Sequence, residues 1–157
     1  MTIMESIPYQ ELEIGATATY EKSLTEEDLV LFATTSGDVN PVHLDEAYAA
    51  DSMFKGRIAH GMWSAGLISA ALATVMPGPG SIYLGQSLNF RRPVRLGDRL
   101  TVTLKVKEKR DDKQIVTIDC KVKNQDGRLV VDGEASVIAP KERVRVERPQ
   151  LPEITIG

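Results

Sequence analysis

Between Arg57 and Arg91 the chain carries no Lys, Arg, Asp or Glu. Pro77-Gly78-Pro79-Gly80 breaks this stretch in two, and Ser64, Ser69 and Thr74 interrupt its first half. That half is too short to cross a bilayer, which needs about 20 apolar residues. In residues 61–76 the apolar side chains lie on every side of a helical wheel. A helix of that kind must be enclosed by other structure. Its small residues, Ala65, Gly66, Ala70, Ala71 and Ala73, allow the enclosing backbone to come close.

The enclosing material follows PGPG. Residues 100–109 and 115–123 alternate apolar and polar positions, and residues 81–90 and 129–138 are two further strand candidates. Arg110-Asp111-Asp112-Lys113 and Asn124-Gln125-Asp126-Gly127 are turn signals, so these strands form an antiparallel meander. Ahead of the helix, residues 17–24 form a short strand, and Thr25-Glu26-Glu27-Asp28 opens a helix with a cap and first-turn acids. Ser36-Gly37-Asp38 ends that helix. A polar turn over residues 38–43 follows, extended at Asn40 because of Pro41, and Asp45 caps a short helix to about residue 51. The pattern predicts an α+β fold in which a sheet wraps a buried helix. Its open sheet edge favours a dimer joined edge to edge. Residues 1–139 are expected to form a single domain, and the Pro- and charge-rich residues 140–157 an extended tail.

A length of 157 residues leaves room for one core. Nineteen basic and 22 acidic side chains give a net charge of −3, without the basic footprint of a nucleic-acid binder. The N-terminus has no basic start followed by an apolar run, so neither a targeting signal nor a membrane partner is expected. A lone cysteine, Cys120, excludes intrachain disulfides and multi-Cys metal sites. Histidine chemistry must use His43, His60 or both.

Asp38 and His43 stand five residues apart across the Pro41 turn. Near neutral pH such a pair offers an ionised carboxylate and a mostly neutral imidazole, able together to hold a water and take its proton. The plainer alternative is a turn-capping Asp38 beside a packed His43. Gly61 opens the buried helix, where the first amides lack partners, and its N–H could hold a carbonyl oxygen on which charge develops. Tight packing alone would also account for a glycine there. Ser69 could orient Asp38 or bond back to its own helix, and Ser64 has the same two options. A two-His, one-carboxylate metal site built from Asp38, His43 and His60 is disfavoured, because nothing in the spacing demands it. The G-x-S-x-G elbow and the phosphate and dinucleotide glycine motifs are missing from the sequence. Arg91, Arg92 and Arg95 either contact phosphates of a nucleotide-bearing ligand or are merely solvated, as are Lys141, Arg143, Arg145 and Arg148 in the tail.

Phe32-Ala33 followed by Ser36-Gly37-Asp38-x-Asn40-Pro41-x-His43-x-Asp45 resembles the signature of MaoC-like, (R)-specific enoyl-CoA hydratases. Ala59-His60-Gly61-Met62 and Gly85-Gln86-Ser87-Leu88-Asn89-Phe90 before Pro93-Val94 also match, and the likeness spans about residues 10–139. The resemblance implies a hotdog fold, a long helix wrapped by a curved antiparallel sheet. It implies reversible addition of water to a trans-2-enoyl-CoA, giving (R)-3-hydroxyacyl-CoA. A cytoplasmic homodimer or assembly of dimers is implied, with no metal and no bound cofactor. Carried over, Asp38 and His43 are the catalytic pair, the Gly61 amide holds the thioester oxygen, and Ser69, Asn40 and Ser64 bind substrate or support the site. A hotdog acyl-CoA thioesterase is the nearest alternative, although residues 61–76 lack the helix acid several such enzymes use. A non-catalytic acyl-thioester binding module is the other.

Overall fold

A computed structural model describes residues 2–157. In chain order its elements are β1 (Ile3–Glu5), β2 (Thr17–Ser23), α1 (Glu26–Ser36), α2 (Pro41–Leu44), α3 (Glu46–Ala50), α4 (Gly61–Thr74), β3 (Ile82–Gln86), β4 (Asn89–Phe90), β5 (Arg99–Arg110), β6 (Ile115–Lys123), β7 (Leu129–Ile138) and β8 (Arg145–Glu147). A 3₁₀ turn at Tyr9–Glu11 links β1 to β2. The main sheet is antiparallel, in the order β2-β5-β6-β7-β3, with β4 also paired to β7.

Strand alternation decides which face meets α4. Leu100, Val102, Leu104 and Val106 of β5 point one way, as do Val116, Ile118, Cys120 and Val122 of β6, and all are buried. They form one cluster with Leu67, Ile68, Ala71 and Leu72 of α4. Each Leu, Ile or Val taken out of water there contributes about 1.5–3 kcal/mol. The sheet wrapped around an apolar helix is the hotdog arrangement.

The segment read as one strand over residues 81–90 is two. Gly133 of β7 lies so close to the crossing chain that a Cβ there would stand 1.8 Å from the Ser87 carbonyl oxygen. Ser87 donates its N–H to the Glu134 carbonyl (2.9 Å) and accepts the Glu134 N–H on Oγ (3.0 Å), so pairing resumes only at Asn89. Residues 145–147 of the tail also form a strand, β8, antiparallel to β1. Arg143 anchors the tail by donating to the Ser6 carbonyl (3.1 Å) and to Glu11.

The helices ahead of α4 position the site. Thr25 and Asp28 form a reciprocal capping box on α1, and Gly37 closes it in the left-handed region at φ 82°. Residues 38–43 are not all turn. Asn40 is non-helical, as a residue before proline should be, but Pro41 starts a single turn of helix, α2. The Asn40 Oδ1 accepts the Val42 N–H (3.2 Å) to cap it. That turn points His43 inward. Arg57 then ties α1 to α3, donating to Glu26 and Glu46 at 2.9 Å each. No helix among the described residues is long and apolar enough to cross a membrane.

Candidate active site

Asp38 and His43 come together beside the start of α4. The Asp38 Oδ2 lies 3.9 Å from the His43 Nε2. This is too long for a direct hydrogen bond and leaves space for a shared water. The carboxylate is half exposed and the imidazole is buried. The other carboxylate oxygen, Oδ1, accepts the Asn40 N–H at 3.1 Å. Turn capping thus uses one oxygen of Asp38 and leaves the other facing His43.

The His43 Nδ1 lies 2.8 Å from the Ile58 carbonyl oxygen. A carbonyl only accepts, so this nitrogen carries the proton and the neutral ring keeps its lone pair on Nε2, toward Asp38. The tautomer required of a base is thus set by one backbone atom.

His60 is the N-cap residue of α4 and is 2% exposed. Its Nε2–H donates to the Asp38 carbonyl oxygen at 3.0 Å. Its ring stacks on His43, with centroids 3.8 Å apart and planes 25° apart, and Phe32 packs at 4.8 Å. The His60 Nδ1 is buried with no partner among the described residues. The sequence marks His60 as one of two histidines and as part of the Ala59-His60-Gly61-Met62 motif, without assigning it a contact in the site. Its position directly before Gly61 was the available signal, but its partner is 22 residues away.

Ligand atoms of Asp38, His43 and His60 lie within 4.8 Å of one another. A chelate needs lone pairs that converge on one point, whereas stacked rings hold theirs in nearly parallel planes. The arrangement suits proton transfer better than metal binding.

Gly61 holds the first position of α4, where the N–H has no helical acceptor and the helix dipole adds positive charge. A Cβ at Gly61 would meet the Phe90 ring at 3.0 Å, so any larger residue there must displace that ring. A cavity of about 320 Å³ opens here, lined by Gly61, Ser64, Phe90 and Val130 among others, and His60 borders it. Ser64 is buried one turn into α4. Ser69 lies two turns along, half buried, and none of the hydrogen bonds among the described residues joins it to Asp38.

Residues 10–127 match the family model for the MaoC-like domain. The solved structure of R-hydratase PhaJ1 from Pseudomonas aeruginosa is 58% identical, covers 99% of this chain and 100% of its own, and superposes with a TM-score of 0.97. The (R)-hydratase from Aeromonas caviae, described as involved in PHA biosynthesis, is 45% identical over 83% of this chain and 99% of its own, with a TM-score of 0.81. The (R)-specific enoyl-CoA hydratase of Rhodospirillum rubrum is 46% identical over 84% of this chain and 91% of its own length. These likenesses extend over most of the chain and share its hotdog core, and the chain belongs to the MaoC-like domain family.

Proposed function

We propose that this protein is an (R)-specific enoyl-CoA hydratase, adding water reversibly to a trans-2-enoyl-CoA to give the (R)-3-hydroxyacyl-CoA. The carrying observation is the 3.9 Å gap between the Asp38 Oδ2 and a His43 Nε2 whose lone pair is fixed by the Ile58 carbonyl. Similarity to proteins named (R)-specific enoyl-CoA hydratase supports the substrate class and the product hand.

A water seated between Oδ2 and Nε2 donates a hydrogen to each. In the forward direction it attacks the β-carbon as one of the pair takes its proton, and the electron pair moves toward the thioester carbonyl. The enolate-like oxygen accepts the Gly61 N–H. A donor of this kind typically lowers the barrier by about 2.7–4 kcal/mol. A proton then passes to the α-carbon, completing the hydration with atoms balanced and no redox change. The helix α4 carries no acid from Gly61 to Thr74, so the carboxylate-on-helix chemistry of a hotdog thioesterase has no group to use there.

The working unit is a homodimer or an assembly of dimers. Edge strand β2 exposes Glu21 and Lys22, whereas the opposite edge strand β3 exposes Ile82, Tyr83 and Leu84. Apolar side chains and free backbone groups along one edge favour pairing β3 with a second copy. A chain whose single thiol is buried suits the reducing cytoplasm.

The test is loss of enoyl absorbance on crotonyl-CoA, with chiral analysis of the product. We expect Asp38→Asn and His43→Gln each to lower kcat by about 10²- to 10⁴-fold with unchanged thermal unfolding. Near-normal turnover in either folded variant, or an (S) product, rejects the assignment.

A further inference from the structure

We propose that residues 148–157 are a strap whose far end braces α1, the helix that leads into Asp38, so that the tail tunes the rate of the reaction from outside the cavity. The brace rests on the fold alone; only its kinetic readout rests on the hydratase reading.

The near end of the strap is fixed. Just past the β1–β8 ladder, the Arg148 N–H donates to the Thr2 carbonyl at 2.7 Å. None of the hydrogen bonds among the described residues involves residues 149–157. The chain crosses the surface there without helix or strand. Pro149 and Pro152 hold it open, since each fixes its own φ and keeps the residue before it out of helical geometry. From Pro149 to Ile156 an extended chain reaches at most about 25 Å.

The far end meets α1. Ile156, Glu26, Glu27 and Val30 enclose a cleft of about 210 Å³. Leu151 is 91% exposed, Ile154 62% and Ile156 39%, so cover increases as the tail nears the helix. Val30 is the apolar wall of this cleft on the helix side, and Ile156 is the apolar wall on the tail side. The Glu26 carboxylate turns to Arg57 at 2.9 Å rather than to the tail. A segment held at both ends and loose between them acts as a strap.

The inner face of α1 buries only Leu29 and Ala33. The same helix places two parts of the site. Phe32 packs on the His60 ring at 4.8 Å. The Gly37 N–H donates to the Ala33 carbonyl (2.9 Å) one residue before Asp38, whose own N–H donates to the Ser36 Oγ (3.1 Å). A shift of α1 therefore moves Phe32 and Asp38 together, and a misplacement of about 1 Å in a reacting group costs up to about 10²-fold in rate.

The experiment uses the full chain. Ile156→Asp sets a carboxylate beside Glu26 and Glu27, whereas Ile156→Leu keeps an apolar side chain there. In Ile156→Asp, amide hydrogen exchange across α1 is expected to quicken about fivefold or more with β5 and β6 unchanged. On crotonyl-CoA, kcat is expected to fall about tenfold with KM within about twofold. Ile156→Leu should match the parent in both measurements. Unchanged exchange in α1, equal quickening in β5 and β6, or an equal change in Ile156→Leu overturns the brace. Faster exchange confined to α1 with kcat unchanged overturns its link to the site. A parent chain that hydrates no enoyl-CoA ends the hydratase reading, and the exchange measurement still decides the strap.

Discussion

The rings of His43 and His60 lie face to face, 3.8 Å between centroids, while His60 reaches past the stack to donate to the Asp38 carbonyl. One side chain thereby touches both members of the candidate pair without sharing their water. The Ile58 carbonyl fixes the His43 tautomer, and the His60 ring fixes the plane in which the Nε2 lone pair points.

Two substitutions separate those contributions of His60. His60→Gln keeps an N–H donor for the Asp38 carbonyl and loses the stack; His60→Phe keeps a ring and loses the donor. We expect kcat on crotonyl-CoA to fall about 10²-fold in His60→Ala, with KM within about threefold, since small misplacements of reacting groups cost on that order. Either half-conservative variant should recover part of kcat. Equal losses in all three, tracking a common fall in thermal stability, would mean His60 is only packing.

Gly61 and Phe90 should behave as a coupled pair. The ring carbons Cε1 and Cδ1 stand 3.0 and 3.1 Å from where an alanine Cβ would go. Gly61→Ala must push the ring aside, and kcat/KM is expected to drop about tenfold as the cover over the helix start shifts. In a Phe90→Ala background the same change should leave the melting temperature unchanged or higher, because alanine suits a helix better than glycine. A double-mutant cycle by thermal unfolding checks this, and strict additivity would refute the contact.

Gly133 has no such flexible neighbour. Its imaginary Cβ falls 1.8 Å from the Ser87 carbonyl oxygen and 2.7 Å from the carbonyl carbon, both backbone atoms. Gly133→Ala should destabilise by about 3 kcal/mol or more, measured as the shift in urea midpoint. A loss under about 1 kcal/mol would show that the crossing is looser than this.

Alkaline pH should erode stability over a broad window. Burial pushes the Cys120 thiol from 9.0 up to about 11. Burial, then a hydrogen bond donated to Asp111, lifts the Tyr9 phenol from 10.0 to about 12, and burial lifts Tyr83 equally far. All three are raised in the folded chain, so their neutral forms are favoured there. The contribution is complete below the ordinary values and disappears as pH climbs from about 9 to about 12. The melting temperature should fall through that range, and Cys120→Ala should soften its onset. A Cys120 that reacts with a disulfide reagent at pH 8 as fast in the folded as in the unfolded protein would contradict this burial.

Where a segment's structure depends on its own neighbours, the sequence was readable. Thr25 and Asp28 announce a helix start three residues apart, and the alternation in β5 and β6 repeats every second residue. The all-round apolarity of residues 61–76 implied enclosure, and the sheet provides it. What depended on distant partners was hidden. Neither Ile3–Glu5 nor Arg145–Glu147 has a strand pattern of its own, because each exists only against the other. The break at Ser87 is imposed by Gly133 on another strand. Within the site, Asp38 and His43 were visible as a motif, whereas the His60 contacts needed a fold to bring residue 60 onto residue 38.

The β1–β8 ladder sets Ile3 opposite Glu147, so two stretches far apart in sequence depend on one another for their form. A protease that clips one of these short strands also strips the other of its only ladder partner, leaving the Ser6–Val144 and Arg143 bonds to carry the seam.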